Sequence, residues 1–463
     1  MSRIAPYRRP LLAAAACLAA IAAAASHAQP AGTARPVAAD LGLPTEPTAV
    51  PLPRLSEEIT GPGPMFDSAP SQAPGLGPQD FAYATREYFV SGTADGRPYT
   101  TRVVVRMPRD PSRFSGLVLA ESMHYSGAAH AFEFTAAYTM DSGHAAVEIL
   151  TTTPAPLKSF NAERYSRLVV EDGQANDILA QVGALIKSDR GPLGNVTVRK
   201  MVLAGTSMSS ATLFNYLPAH AVYRTPDMKH IYDGYFPTST AATAPEIDVP
   251  IIQMPTMHEV EGNISRRQDS DEPGRQFRMY EVAGIGHVDS RDNVRLIPNP
   301  CTKPLSMFPL QAYMSVGLHH LFRWIDEGIT PPRAARILTD RDTHNDGSMM
   351  ALDEHGNPLG GVRNPYVDVP VAKYAPFNTA REPLIENAAE WIIANGGIEG
   401  ARIMCRLSAY QEPFSREKLR ELYGDKHAYL RRVEERLDEL EREGWSLPLY
   451  RELILRDAAA VEF

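Results

Sequence analysis

The residues that most strongly suggest chemistry in this sequence surround a serine at a sharp turn. Residues 205–209 (GTSMS) follow a buried apolar run, RKMVLA, and precede a helical run, SSATLFNYL. A strand, a tight turn and a helix in this order are the setting of a nucleophile elbow, where the residues two before and two after the nucleophile must be small. Gly205 and Ser209 meet that requirement, although the usual second glycine is a serine here. We predict that Ser207 is a nucleophile; the alternative is that it only caps the helix.

A serine hydroxyl needs a base to take its proton. In enzymes with a nucleophile elbow, the histidine follows the last strand of the sheet. Residues 277–282 (FRMYEV) predict that strand, and AGIGH follows it. The glycines on both sides of Ile285 allow a tight loop that presents His287. We predict that His287 is the general base; a surface or core histidine is the alternative.

The acid that orients this histidine should follow the preceding strand, because functional groups gather at the carboxyl edge of a parallel sheet. Residues 249–254 predict that strand, and PTMHEVE follows it. Glu259 is the predicted acid and Glu261 the alternative, whereas Asp248 lies at the wrong end of the strand. The carboxylate would orient His287 and stabilise its imidazolium form.

An oxyanion hole requires two N–H groups aimed at the developing negative charge. We predict that Met208, directly after the nucleophile, supplies one backbone N–H. The second should come from the loop after SGLVLA, where His124 or Tyr125 is the predicted backbone donor. Ser126 in the same loop is a candidate substrate contact. Glu121, which ends the strand beside this loop, is predicted to be a buried structural acid, with a substrate contact as the alternative.

Neither a metal site nor a cofactor is predicted. The acidic residues between positions 340 and 353 suggest a site for a cation with oxygen ligands, but their spacing does not fit an EF-hand loop. Turn chemistry accounts for them more simply. His319 and His320 are adjacent in one helical run, so they point in different directions, which is poor geometry for chelation.

The elements that must position these residues alternate between strands and helices from about residue 80. Two strands at residues 81–90 and 99–107 flank a hairpin turn at residues 94–97. Short buried strands follow at residues 115–120, 144–150, 199–204, 231–236, 249–254 and 277–282. Helical spacing marks residues 171–188 and 310–327 and the run that ends at Leu217. This order predicts a mostly parallel sheet of about eight strands flanked by helices.

Composition limits the class of protein. The 463 residues include 46 Lys and Arg against 55 Asp and Glu, a formal net charge of −9. A nucleic-acid partner is therefore not expected, because such binding needs a basic face. We assign residues 80–329 to the core and residues 330–463 to a C-terminal extension that packs on it. The extension contains a predicted charged helix at residues 414–443, with Ser415 as its N-cap and Phe414 in contact with Leu419.

The N-terminus predicts export. Residues 1–28 combine arginines, an apolar run and the small residues of a cleavage site, which is the pattern of a signal peptide removed after Ala28. The twin-arginine route is an alternative to the general one. Residues 29–79 are rich in proline, which predicts a linker or extended arm without regular structure. No later run is long enough to span a membrane.

The cysteines agree with a secreted or periplasmic location. Removal of the signal peptide removes Cys17 and leaves Cys301 and Cys405. In an oxidising compartment such a pair predicts one disulfide. The alternative is two separate buried thiols.

The sequence resembles the bacterial "alpha/beta hydrolase domain" family of the α/β-hydrolase superfamily over about residues 80–460. The resemblance rests on VLAESMHYSG, VLAGTSMSSATLFNYL, YEVAGIGHVD, HGNPLGGVRNPYVDVPVAKY and PFSREKLRELYGDKHAYL, in this order. It implies the α/β-hydrolase fold, with Ser207 as nucleophile and His287 as base. Glu259 falls where many relatives have aspartate, and His124 replaces a common asparagine.

Together these features predict a secreted serine hydrolase that cleaves carboxylic esters of small molecules through an acyl-enzyme. Cleavage of amides or lactones and acyl transfer to an alcohol would use the same residues. A non-catalytic binding protein on this scaffold and a structural role in the cell envelope are alternatives from other classes. The sequence does not predict the acyl or alcohol part of the substrate, nor the oligomeric state.

Overall fold

The computed structural model describes residues 43–72, 75–291, 293–339, 349–394 and 396–463. The predicted signal peptide, the first part of the proline-rich arm and the acidic turn after Thr339 lie outside the described residues. Within the described part of the chain, no helix is both long and apolar enough to cross a membrane.

Thirteen strands are present in the described residues. In chain order they are β1 (Thr48–Ala49), β2 (Arg54–Leu55), β3 (Tyr83–Ala94), β4 (Arg97–Pro108), β5 (Leu117–Ser122), β6 (Ala145–Ile149), β7 (Lys200–Thr206), β8 (Tyr223–Arg224), β9 (Gly234–Thr238), β10 (Ile251–Gln253), β11 (Phe277–Met279), β12 (Ala372–Ala375) and β13 (Tyr410–Pro413). Nine of them form the central sheet in the order β11-β10-β9-β7-β5-β6-β4-β3-β2. The neighbours from β11 to β6 pair in parallel. The predicted mostly parallel sheet is confirmed.

Thirteen α-helices flank this sheet or follow it in the described residues. They are α1 (His130–Glu133), α2 (Ala136–Asp141), α3 (Ala155–Phe160), α4 (Ala175–Ile186), α5 (Met208–His220), α6 (Met257–Glu261), α7 (Leu310–Glu327), α8 (Pro365–Asp368), α9 (Glu390–Ala394), α10 (Ile398–Leu407), α11 (Arg416–Tyr423), α12 (Lys426–Glu443) and α13 (Arg451–Ala460). Short 3₁₀ turns occur at Pro111–Arg113, Val294–Leu296 and Pro448–Tyr450.

The centre of the sheet is covered on both faces. Every residue of β5 is buried, and the six residues of β7 after Lys200 are buried too. A strand buried on both faces loses the polar and apolar alternation of a half-exposed strand, which is why these segments read as continuous apolar runs. The helix predicted at residues 310–327 is confirmed as α7, which ends where Gly328 adopts a left-handed conformation with φ of 71°.

The proline-rich arm carries more regular structure than the sequence predicts. β1 pairs with β8 in a small parallel sheet, and β2 pairs with β3 at the edge of the central sheet. The prediction that residues 29–79 lack regular structure is therefore wrong at these two short strands. Each strand lies between prolines, and an edge position tolerates the missing N–H groups of its neighbours.

The helix predicted at residues 414–443 is also wrong as a single element. It is divided into α11 and α12 at Gly424, which has φ of 78°, and Asp425 caps the second helix by accepting the N–H of Ala428. The predicted N-cap Ser415 does accept the N–H of Lys418. A glycine followed by aspartate is the pattern of one helix ending and another beginning.

The C-terminal residues contact the core at several points. Val288 donates its N–H to Leu407 O at 3.3 Å, and Arg291 forms an ion pair with Asp457. Cys301 and Cys405 are joined as a disulfide across 104 residues of chain. The division of the chain at residues 80 and 330 stays a prediction.

Candidate active site

Ser207 occupies a strained turn between β7 and α5. Its backbone has φ of 57° and ψ of −119°, which a residue with a side chain rarely adopts. The Ser207 N–H donates to Thr238 O at 3.1 Å, and the Ser210 hydroxyl donates to the same oxygen at 2.8 Å. These two hydrogen bonds attach the turn to the end of β9. The Ser207 side chain projects at the carboxyl edge of the sheet.

The neighbours of Ser207 show why small residues are required there. A Cβ atom on Gly205 would lie 2.6 Å from Ser209 O, so no other residue fits without a backbone shift. The Ser209 hydroxyl accepts the Thr206 N–H at 2.8 Å and donates to Thr206 O at 3.0 Å. A serine at the position of the usual second glycine is therefore accommodated, and its hydroxyl closes the turn.

His287 and Glu259 complete a hydrogen-bonded relay with this serine. His287 Nε2 lies 3.0 Å from Ser207 Oγ, and His287 Nδ1 lies 2.6 Å from Glu259 Oε1. The side chains of the two partners are 8% and 5% exposed. Met257, the first residue of α6, donates its N–H to Ile285 O at 3.2 Å. This hydrogen bond joins the helix that carries Glu259 to the loop that carries His287.

The protonation of the relay follows from the environment of Glu259. Burial raises the pKa of this carboxyl, but the adjacent His287 imidazole and the hydrogen bonds from His287 and Thr256 outweigh burial and lower the pKa to about 2. The carboxylate is ionised at neutral pH and accepts the Nδ1–H of His287. In the neutral imidazole Nε2 then carries the lone pair and accepts the Ser207 O–H, which is the arrangement a general base needs.

The two candidate acids have different partners. Glu259 Oε2 accepts both the N–H and the hydroxyl of Thr256 at 2.7 Å, forming a capping box at the start of α6. Glu261 instead accepts the N–H groups of Met349 and Met350. The Thr-x-x-Glu spacing at residues 256–259 is a local sequence signal that favours Glu259 over Glu261.

The sequence predicts three backbone N–H groups as candidate oxyanion donors, those of Met208, His124 and Tyr125, and the structure excludes one of them. His124 donates its backbone N–H to Ala128 O at 2.8 Å inside its own loop, so the prediction of that N–H as an oxyanion donor is wrong. Met208 is the first residue of α5, and its N–H has no partner within the helix. Met208 and Tyr125 stay predicted backbone donors.

Glu121 has a structural environment rather than one suited to substrate. Its side chain is fully buried, and its two oxygens accept the N–H groups of Ala131 and Phe132 at 2.8 and 2.9 Å. The predicted role of a buried structural acid is confirmed, because both oxygens stabilise the beginning of α1, and the alternative of a substrate contact is wrong. Ser126 is half-buried, with Oγ 2.9 Å from His124 Nδ1, and its contact with substrate stays a prediction.

A further histidine lies beside the relay and was missed in the sequence. The His258 ring centroid is 5.0 Å from that of His287 and 4.6 Å from that of Phe377. Burial, together with the neighbouring His287, lowers the pKa of His258 to about 4, so this imidazole is neutral at pH 7. Its place directly before Glu259 on α6 was the only available signal.

Among the residues that the structure describes, two groups of side chains have the atoms and spacing that a metal ion needs. One comprises His258, Glu259 and His287, and the other His220, His230 and Asp248; the ligand atoms in each lie within 4.8 Å of one another. In the first group Glu259 and His287 already serve the relay. In the second, Asp248 lies 2.7 Å from His220 Nε2 and 3.3 Å from His230 Nε2. The carboxylate of each group is therefore already hydrogen-bonded to a histidine.

The arrangement of the central sheet and its helices is that of the α/β-hydrolase class. The chain belongs to the family described as "Alpha/beta hydrolase domain", whose model matches residues 49–456. The resemblance drawn from the sequence motifs is thereby confirmed, as is the α/β-hydrolase fold. A comparison with curated proteins found no match.

Several solved structures are similar to parts of this chain. A cold-adapted esterase from an Arctic intertidal metagenomic library is 15% identical, with 42% of this chain and 83% of that chain covered and a TM-score of 0.26. LpqC, a poly(3-hydroxybutyrate) depolymerase from Bordetella parapertussis, is 11% identical over 54% of this chain and 91% of its own, with a TM-score of 0.30. XC6422 from Xanthomonas campestris, an α/β serine hydrolase without a lid, is 12% identical over 42% and 83%, with a TM-score of 0.25.

Proposed function

We propose that this protein is a serine hydrolase that cleaves carboxylic esters of small molecules. The observation that carries the proposal is the continuous relay from Glu259 through His287 to Ser207, whose nucleophile sits in a strained turn at the carboxyl edge of the sheet. A helix-capping serine would need neither the positive φ nor a buried histidine at hydrogen-bond distance.

The reaction follows from these positions. Ser207 Oγ attacks the acyl carbon while His287 Nε2 takes the hydroxyl proton, and the carbonyl oxygen becomes an oxyanion. The C–O bond to the alcohol then breaks, and His287 returns the proton to the departing alcohol. Water attacks the acyl-enzyme with the same base, and the acid leaves as Ser207 recovers its proton. Glu259 stabilises the imidazolium that forms in both halves.

We also propose that the mature chain begins after Ala28 and acts outside the cytoplasm. The Cys301–Cys405 disulfide supports this, because such bonds persist in oxidising compartments. Mass measurement of the protein exported by a bacterial host gives the cleavage site. Recovery of the full-length chain from the cytoplasm alone would contradict the proposal.

Covalent labelling tests the nucleophile. A fluorophosphonate probe should label the wild type and the exposed-surface control Ser112→Ala equally, and should not label Ser207→Ala. Label retained by a folded Ser207→Ala variant would assign the reactivity elsewhere. Assays of esters, lactones and amides with an added alcohol acceptor then define the bond cleaved, and faster turnover of an amide than of its matched ester would overturn the ester proposal.

A further inference from the structure

We propose that the imidazole of His124 donates a hydrogen bond through Nε2–H to the carbonyl oxygen of the bound ester as that oxygen becomes the oxyanion. This inference rests on the proposed function. It assigns the side chain of His124 to the oxyanion hole, in place of the backbone N–H that the loop consumes. The assignment depends on the position of the residue, its tautomer and the accessibility of one ring nitrogen.

The position follows from the pairing of two parallel strands. In β5 and β7, Glu121 lies opposite Ala204. If the register is continued beyond both strands by the same number of residues, His124 comes level with Ser207. Neighbouring strands are about 4.8 Å apart, so the two residues leave the sheet side by side at its carboxyl edge. The electrostatic influence of His287 on His124 agrees with this placement.

The tautomer is fixed by Ser126. The backbone N–H of Ser126 donates to His124 Nδ1 at 3.3 Å. An N–H group only donates, so Nδ1 must accept and carries no proton. The Ser126 hydroxyl, 2.9 Å from the same nitrogen, then donates as well. Both contacts place the single proton of a neutral His124 on Nε2.

The ring is also kept neutral. Burial lowers the pKa of His124 well below its ordinary value, and the electrostatic influence of His130, Arg295 and His287 lowers it further. The His124 ring contacts the rings of Tyr125 and His130, with centroids 4.2 and 5.2 Å away. A neutral, fixed N–H does not compete with the imidazolium that His287 becomes, which a second cation would do.

Nε2–H is the free end of this arrangement. Among the described residues His124 Nε2 forms no hydrogen bond, and the residue is half-buried. The contacts of Nδ1 with Ser126 orient the ring, and Nε2–H has no partner within the described part of the chain. Such a donor is suited to bind an oxygen that gains negative charge during the reaction. Because the bond strengthens as charge develops, it should affect kcat more than KM.

Three substitutions at one position test the assignment. His124→Gln places an amide N–H near the position of Nε2. His124→Asn places its amide group near the position of Nδ1 and leaves no donor at the position of Nε2. His124→Phe keeps a ring without a donor. We expect kcat for an ester to fall roughly 10²–10³-fold in the Phe and Asn variants, as for loss of one oxyanion donor. The Gln variant should recover most of this loss, with KM within about threefold of wild type throughout.

Two kinetic results would overturn the inference. One is an unchanged kcat in a folded His124→Phe variant, and the other is an equal loss in all three variants, which would indicate a packing role. A second measurement does not depend on activity. Spectra of the wild type with ¹⁵N-labelled histidine should show His124 as the neutral Nε2–H tautomer, assigned by the signal that His124→Gln lacks; an Nδ1–H or cationic form would also overturn the inference.

The same experiments separate this inference from the proposed function. If the wild type hydrolyses esters in a Ser207-dependent manner and the His124 variants match it, only the side-chain donor fails. If no Ser207-dependent hydrolysis is found in folded wild type, the proposed function itself fails.

Discussion

Two histidine–carboxylate pairs lie at opposite ends of the central sheet, and α5 joins them. At the carboxyl edge His287 Nδ1 is 2.6 Å from Glu259, beside the serine that precedes α5. At the amino edge His220, the last residue of α5, has Nε2 2.7 Å from Asp248. The pairs are alike in chemistry and distance, so this contact alone does not define an active site.

The difference lies in what each imidazole holds on its other nitrogen. His287 reaches Ser207, whose backbone is strained and whose side chain faces the site. His220 reaches the hydroxyl of Tyr235, 2.8 Å away and fully buried. The acids differ too, since the Glu259 side chain is 5% exposed and that of Asp248 is 57% exposed. A base becomes useful when its partner is a nucleophile that the fold presents to substrate.

The same substitution at His287 and at His220 should give the largest difference between the two pairs. We expect His287→Gln to lower kcat by roughly 10⁴–10⁶, the range seen when a triad base is removed. His220→Gln should leave kcat within about threefold, because it contacts no reacting atom. The measurement is ester turnover by both variants, with folding checked by circular dichroism. A comparable loss in the His220 variant would mean that the two ends of α5 are functionally coupled.

The acids give the next largest contrast. Glu259→Gln removes the charge that fixes the His287 tautomer, and we expect kcat to fall roughly 10³–10⁴-fold, as for loss of a triad acid. Asp248→Asn is the matched control and should leave kcat unchanged within about twofold. Steady-state kinetics on one ester decides between them. Near-normal turnover by Glu259→Gln would return the role of acid to Glu261.

The strained turn supplies a smaller effect that reaches the nucleophile indirectly. Gly205→Ala puts a methyl group 2.6 Å from Ser209 O, so the turn must shift. We expect a loss of about 1–3 kcal/mol in the free energy of unfolding and a fall in kcat of at least about tenfold, because a small displacement of Ser207 is costly. Urea unfolding and ester turnover measure the two effects. Wild-type values for both would show that this close approach is relaxed in solution.

The smallest expected difference between the two carboxylates is in how the free energy of unfolding falls at low pH. The pKa of Glu259 is lowered from 4.5 to about 2, so its stabilising contribution is complete above pH 4.5 and is lost as the pH falls through 2. The shift corresponds to at most about 3 kcal/mol. Glu259→Gln should therefore flatten the fall in unfolding free energy between pH 4.5 and 2. Asp248→Asn should flatten it less, since solvent screens that half-exposed carboxylate. Equal slopes in the two variants would contradict this ranking.

The sequence predicts some parts of the site better than others, for physical reasons. Ser207 and His287 follow strands within their own segments, so local patterns locate them. Glu259 was separable from Glu261 only through its capping contact with Thr256, a local signal that the strand pattern does not contain. Whether the backbone N–H of His124 is available to substrate depends on the hydrogen bond that it donates to Ala128 O within its loop. The spacing of apolar residues does not predict such a bond.

The same limit applies to the fold. Buried runs predicted the central strands, because a strand covered on both faces must be apolar throughout. The edge strand β2 escaped prediction because it consists of Arg54 and Leu55 alone, and its pairing with β3 is decided by residues far along the chain.

One support of the active site has a consequence for how the protein is made. The loop that carries His287 rests on residues synthesised much later, because Val288 donates its N–H to Leu407 O and a methyl group on Gly286 would touch Ala409. A nascent chain that has emerged only as far as His287 holds every member of the relay but not the surface against which the base is set. We therefore expect Ser207-dependent activity only near the completion of translation, and a chain cut short before Leu407 should be inert.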